Sequence, residues 1–176
     1  MSEYPSDWRV ADLGAVVAEI VAGQSPNRME HPARNGKKGI LKTTAIQWSG
    51  FSPLENLEAL PDFTANSNTI VRKNDILITK AGPSRRVGVV ALSHEDTGTL
   101  HVSGKMAAIR TTEEMDPRFL AYQMSQDTFQ IQLRGDITGM ALSQTNITHD
   151  NLLAKSIVVP PLPEQKKIAE ILSGID

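Results

Sequence analysis

The chain has 176 residues, 40% apolar and 22% charged, and contains no cysteine. That composition fits one folded domain with a sizeable core and excludes disulfides, thiolate metal sites and cysteine nucleophiles. The formal charge of −2 conceals a division: between Arg28 and Arg110 twelve Lys/Arg stand against seven Asp/Glu, a net +5, and the remaining six basic and thirteen acidic residues net −7. One basic, anion-facing side would produce this asymmetry, and so would ordinary scatter of solvated charges.

In chain order, residues 8–22 predict a strand-like entry followed by a short helix or strand, stopped by Gly23, with Ser25-Pro26 opening a loop. Residues 27–39 are polar and glycine-containing and are expected to form an exposed, mobile loop. Residues 40–48 read as one strand with Thr43-Thr44 inside it, and residues 50–68, with Pro53, Pro61 and many Asn and Ser, as mostly loop. Asn74-Asp75 signals a turn before the β-branched strand Ile76-Leu-Ile-Thr79, and Ala81-Gly82-Pro83-Ser84 signals another. Residues 87–92 and 100–110 are expected as further strands. The pattern then changes. Asp116-Pro117 opens a helix that should run to Gly135, since Pro suits the first helical position. Residues 138–146 are polar and turn-rich, and residues 151–159 end in a strand. The run Pro160-Pro161-Leu162-Pro163 predicts an extended connector, because proline fixes φ and disfavours helix before it. Glu164 then starts a helix with its charge where the helix dipole favours it. The fold class expected is α+β: a β-rich globular domain over 1–160 with a few helices, and a separate helix beginning within 161–176.

In that last helix Ile168, Ile171, Leu172 and Ile175 lie at i, i+3, i+4 and i+7, one apolar stripe. A helix below about 12–15 residues is marginal alone. The stripe therefore packs on its own domain, pairs with another helix, or belongs to a longer helix.

Motifs for catalysis are absent from the sequence. There is no phosphate-binding Gly-rich loop and no G-x-S-x-G elbow. His31, His94, His101 and His149 have no metal-ligand spacing. Val159-Pro160-Pro161-Leu162 lacks the flanks of an amino-methyltransferase motif, and Ile78 stands where a nuclease strand would carry its acid. No catalytic residue, metal or cofactor is expected. With no membrane-length apolar run and no leader-like start, a cytoplasmic location is expected.

Four segments carry a family resemblance: Trp8-Arg-Val-Ala-Asp-Leu-Gly14 with Gly23-Gln-Ser-Pro26; Asn74-Asp-Ile-Leu-Ile-Thr-Lys-Ala-Gly82 with Arg86-Val-Gly-Val-Val90; Gly139-Met-Ala-Leu-Ser-Gln-Thr-Asn-Ile147; and Ile157-Val-Val-Pro-Pro-Leu-Pro-Glu-Gln-Lys-Lys-Ile-Ala169. In order and spacing they resemble the specificity subunits of type I restriction–modification systems. The resemblance implies a target-recognition domain that reads one half of a split site in double-stranded DNA, followed by the start of a long spacer helix. It implies methyltransferase (M) subunits as partners, a restriction (R) subunit through them, and a second half-subunit or second half of the same chain pairing through the helix stripe. The chain is then a fragment or a half-length subunit, and not itself an enzyme. Two alternatives stay open: a piece of a combined restriction enzyme and methyltransferase, and a protein-interaction module working through its C-terminal helix.

Sequence readout needs side chains at base edges and Lys/Arg on phosphates. The loop to residue 42 offers Arg28, Arg34, Lys37, Lys38 and Lys42, with Asn27 and Asn35 able to pair with adenine edges. The Gly82–Arg86 turn offers Ser84, Arg85 and Arg86, with both arginines expected at the surface, and Ser103-Gly-Lys105 is a third basic turn. Each rests on charge and exposure, with a solvated surface charge as the competing reading. Gln144 and Asn146 fall in the third segment, where turn capping competes with base contact.

Overall fold

The central sheet forms where the sequence is most continuously apolar. A computed structural model describes residues 4–135 and 145–174. Its strands are β1 Arg9–Asp12, β2 Val17–Ala22, β3 Gly39–Leu41, β4 Ile46–Gln47, β5 Gly50–Phe51, β6 Asn56–Glu58, β7 Ile76–Thr79, β8 Ala81–Gly82, β9 Val90–Leu92, β10 Leu100–His101, β11 Met106–Thr111, β12 Thr145–Asn146 and β13 Ser156–Val159. The helices are α1 Pro117–Ser125, α2 Asp127–Gly135, α3 His149–Leu153 and α4 Leu162–Ser173. The mixed α+β class expected from the sequence is the class observed.

The largest sheet has the antiparallel order β2-β11-β7-β9. Side chains alternate between its faces with a period of two. Ile76, Ile78, Ala107, Ile109 and Val90 join Leu13, Val16, Phe119, Leu120, Met124, Phe129 and Leu133 in one core under the helices. Leu77, Met106, Ala108, Val21 and Ala91 meet Leu41, Ala45, Ile46, Val71, Leu100 and Val102 in a second core on the other face. Both faces are covered, so every residue of β7 is buried, and its run of apolar residues needs no polar alternation.

Local chemistry moves several expected boundaries. The single strand expected over 40–48 is broken by a 3₁₀ turn at Thr43–Ala45, and the segment expected to be mostly loop contains β5 and β6. The 100–110 strand is split by a turn in which Met106 N–H donates to Ser103 O. The strand expected from residue 87 starts at Val90, after Gly88 takes φ +87°, a left-handed conformation that glycine tolerates. The long helix becomes two, because Gln126 turns extended after α1. At the start of α1 the Asp116 side chain accepts from Arg118 N and Phe119 N, and Pro117 occupies the first turn, as the sequence predicts.

The chain's two ends meet. β1 pairs antiparallel with β13, and Trp8 Nε1 donates to Glu164 at 3.0 Å. The helix expected from Glu164 starts at Leu162, with Pro161 as N-cap and a proline in its first turn. Gln165 is fully buried: its amide donates to Glu114 O and Pro160 O, and its oxygen accepts from Asp116 N. Ala169 is fully buried and Ile168 packs against the helix-side core. The domain-facing surface of α4 therefore runs through Gln165, Ile168 and Ala169, so Ile168, expected at a partner interface, serves its own domain. Leu172 is half-buried, and Ile171 is 56% exposed. Ile175 lies outside the described residues, as do residues 136–144, which hold most of the third resembling segment and Gln144.

Candidate nucleic-acid interface

The cations at the two ends of the central sheet are held differently. At one end, Arg110 Nε donates to Asp75 Oδ1 at 2.8 Å and Nη1 donates to Glu19 Oε2 at 3.0 Å. The same guanidinium reaches Asn68 Oδ1, Asn68 O and Ile70 O. Hydrogen bonding and charge from Asp75 raise the Arg110 pKa despite burial, and the bond from Asn68 leads the causes that lower the Glu19 pKa. Arg110 is thus spent on the protein, whereas Arg72 and Lys73, just before β7, are exposed and form no ion pair among the described residues.

The other end lies beyond the register positions Ala22, Met106, Thr79 and Val90. Here the turn Ser103-Gly104-Lys105 sits against the segment after β7, because Lys80 N and Ala81 N both donate to Lys105 O. The backbone of Gly104 donates to Gln24 O, which brings in the segment after β2. β12 pairs with β8, so Asn146 lies opposite Ala81. Four separate stretches of sequence thus converge: residues 23–25, 80–86, 103–105 and 145–149. Arg85 and Lys105 are exposed, and no carboxylate lies within ion-pair distance of either among the described residues.

Lys80 and His149 join this end and were not singled out from the sequence. Lys80 Nζ lies 2.9 Å from His149 Nε2. An ammonium can only donate, so the imidazole accepts and is neutral. Burial lowers the pKa of Lys80; burial and then the Lys80 charge lower that of His149. A half-buried lysine beside a histidine rather than an acid keeps positive potential at the surface. The available signal was weak: Lys80 lies within the second resembling segment, but its histidine partner lies 69 positions on.

The remaining candidates divide. Arg28 and Arg34 are exposed and, among the described residues, unpaired by any carboxylate. Arg34 opens a type I′ turn: Asn35 and Gly36 have φ of 54° and 75°, and Lys37 N–H donates to Arg34 O. The surrounding segment is exposed but tied down along its length rather than free. Met29 N donates to Glu58 O, Glu58 N to His31 O, and Ala33 N to the Asn56 side chain. Lys37 pairs with Glu58 at 2.7 Å and Lys42 with Glu55 at 2.8 Å, so these two are partly neutralised. Lys38 donates to Phe63 O. Asn27 and Asn146 are exposed, and Ser84 begins a 3₁₀ turn with partial exposure.

Arg86 departs from expectation. It was expected at the surface beside Arg85, but it folds inward. Its Nη2 donates to Thr43 O at 2.6 Å and to Ile46 O at 2.8 Å, and its buried Nε has no protein partner. On a 3₁₀ turn neighbouring side chains point about 120° apart, so Arg86 can turn inward while Arg85 stays in solvent.

Among the described residues no group of acids and histidines could hold a metal ion, and no helix is long and apolar enough to cross a membrane.

Residues 5–176 match the family model of the type I restriction modification DNA specificity domain. The chain belongs to this family. It is 30% identical over 168 residues to the type I restriction enzyme EcoEI specificity subunit of Escherichia coli, covering 94% of the chain and 28% of that relative. It is also 30% identical to the putative type I restriction enzyme MjaX specificity subunit of Methanocaldococcus jannaschii, covering all of the chain and 38% of that relative. The chain thus spans about a third of the length of these specificity subunits. In fold it is similar to the HsdS subunit from Thermoanaerobacter tengcongensis, with TM-score 0.65 and 23% identity over 99% of the chain and 38% of that subunit. The type I S subunit from M. genitalium gives TM-score 0.62 and 16% identity, over 98% of the chain and 40% of that subunit.

Proposed function

We propose that this specificity domain reads one half of a bipartite site in double-stranded DNA and directs the methyltransferase subunits to it, and through them the restriction subunit. The observation that carries this reading is the uncompensated basic end of the central sheet, on a chain that matches the specificity-domain family over nearly its whole length. Arg85, Lys105, Lys80, Arg28 and Arg34 engage phosphates and base edges in this reading. Lys37, Lys38, Lys42 and Ser84 support them from the flanks. No step of methyl transfer or cleavage is assigned to the chain itself. Residues 161–176 are read as the beginning of the spacer helix. The exposed Ile171 supports a helix partner, contributed by a second half-subunit or by a second half of the same polypeptide. A cytoplasmic location follows from the same reading.

Duplex DNA titrated by fluorescence anisotropy at low and moderate salt tests the assignment. Binding should weaken steeply with salt, because phosphate neutralisation releases counterions. Salt-independent binding, or none at the lowest salt, rejects it.

A further inference from the structure

Lys80 and His149 meet each other rather than an acid. Lys80 follows β7, and its backbone is held on both sides: its N–H donates to Lys105 O, and its carbonyl accepts from Ile147 N–H. His149 opens α3, where the Thr148 side chain caps the helix by accepting from Asn151 N. Two elements 69 positions apart therefore bring Lys80 Nζ to 2.9 Å from His149 Nε2, with both residues half-buried. Two residues beyond Lys80, Gly82 takes φ +136°, and a side chain there would meet nothing within 4 Å. The surface beside the pair is thus bare backbone and open space.

Two groups that can each carry positive charge, in contact and without a carboxylate, form a weak structural bond. Among the described residues neither takes part in an ion pair. Lys80 keeps its charge only while the imidazole stays neutral. The charges acting on His149 are Lys80 and, in the opposite sense, Asp150, its exposed neighbour on α3. The 3₁₀ turn Leu13–Val16, which packs on α3, carries no titratable side chain. Lys105 stands exposed on the turn bonded to Lys80 and adds a further cation on this side. In the free chain burial, and then Lys80, hold the His149 pKa below 6.5. A phosphate oxygen placed against the pair reverses that balance. It accepts from Lys80 in place of the imidazole, frees Nε2, and favours a proton there that can donate in turn.

We infer that Lys80 and His149 form one proton-linked phosphate site: an oxygen of the duplex backbone takes the Lys80 hydrogen bond, and His149 gains a proton and becomes a second donor to the same phosphate. The inference rests on the DNA-reading assignment and deepens it. One proton is taken from solvent as the site fills and is returned when DNA leaves. His149 therefore carries charge only where the polyanion is present, and the free chain does not have to hold two adjacent cations. His149 is a binding residue that the Lys/Arg pattern of the sequence does not reveal.

The test follows the His149 ring protons by nuclear magnetic resonance as a function of pH. The whole chain is titrated alone, with saturating duplex DNA, and with inorganic phosphate at the same phosphate concentration and ionic strength. Duplex DNA should raise the His149 midpoint by about one pH unit or more. A bound duplex that leaves the midpoint unchanged overturns the inference while the DNA-reading assignment stands. Inorganic phosphate should leave the midpoint near its free value; an equal rise would make the pair a site for free anions and overturn its assignment to DNA. Anisotropy titrations at constant low salt, from about pH 8 to about pH 6, read the linked effect on binding. Wild-type affinity should rise as the pH falls, by up to about tenfold per pH unit, the limit for one proton. His149→Gln, whose amide oxygen still accepts from Lys80, should lose most of that rise and stay within about twofold of wild type at the upper end of the range. A variant that keeps the wild-type pH slope overturns the inference, and the wild-type resonance titration decides the matter if the variant does not fold. A wild-type chain that binds no duplex at the lowest salt overturns the DNA-reading assignment and the inference with it.

Discussion

At one end of the central sheet the strand-borne Arg110 is consumed by the protein, while at the other Arg85 and Lys105 stand in solvent. Arg110, with its side chain 14% exposed, meets Asp75 at 2%. At the other, open end Lys80 leans on an imidazole that carries no negative charge. Removing water from an ion pair must be repaid by geometry and extra hydrogen bonds, which the Arg110 site supplies in full. Among the described residues no carboxylate pairs with Arg85 or Lys105 at the open end. The difference shows that counting Lys and Arg locates a basic region but does not say which cations are available.

Breaking the Arg110 site should cost the most. Arg110→Ala leaves Asp75 buried without its partner, and should lower stability by about 3–5 kcal/mol. Urea or thermal unfolding measures it. A loss near zero would mean that the two ends are equivalent and that the contrast drawn between them is empty.

At the open end the same type of substitution should leave the fold almost intact and act on binding. Arg85→Ala and Lys105→Ala should each change stability by no more than about 0.5 kcal/mol. Each should reduce the magnitude of the salt slope of DNA affinity by about 1. Anisotropy titrations over a salt series, alongside thermal melts, separate the two effects. An unchanged slope places that turn away from the duplex.

The smallest effect is on pH dependence, and it sharpens the contrast further. His149 at the open end has its pKa lowered from 6.5 by burial and by Lys80. Its contribution to stability is present above pH 6.5 and is lost as the pH falls through its depressed folded value, because the unfolded chain takes up the proton first. Glu19 at the Arg110 end is lowered from 4.5, led by the Asn68 hydrogen bond, so its contribution is present above 4.5 and lost only in stronger acid. Melting temperatures measured from neutral pH downwards should therefore respond to His149→Gln in the milder range and to Glu19→Gln only below it. The reverse order would show that the hydrogen bonds assigned to these groups do not govern their protonation.

Much of this was present in the sequence for physical reasons. A strand covered on both faces favours apolar β-branched residues, so Ile76–Ile78 declared themselves, and a helix start needs an acceptor for its free N–H groups, so Asp116-Pro117 did too. The family was readable because its segments recur in order, and those segments pair in space: β1 with β13, and β8 with β12. The sequence also showed that the basic residues gather between Arg28 and Arg110. Tertiary structure alone decided which of them remain available. Arg85 and Arg86 are identical in sequence terms, and their roles separate because carbonyls 40 and 43 positions earlier in the chain come within reach of one of them. The Ile168–Ile171 stripe separates for a related reason. A helical wheel gives the angle between side chains but not the direction from which the domain approaches. Burial of Gln165 and Ala169 sets that direction, turning Ile168 inward and leaving Ile171 in solvent. Contacts between residues far apart in the chain depend on where the backbone brings them, and no local pattern encodes that position.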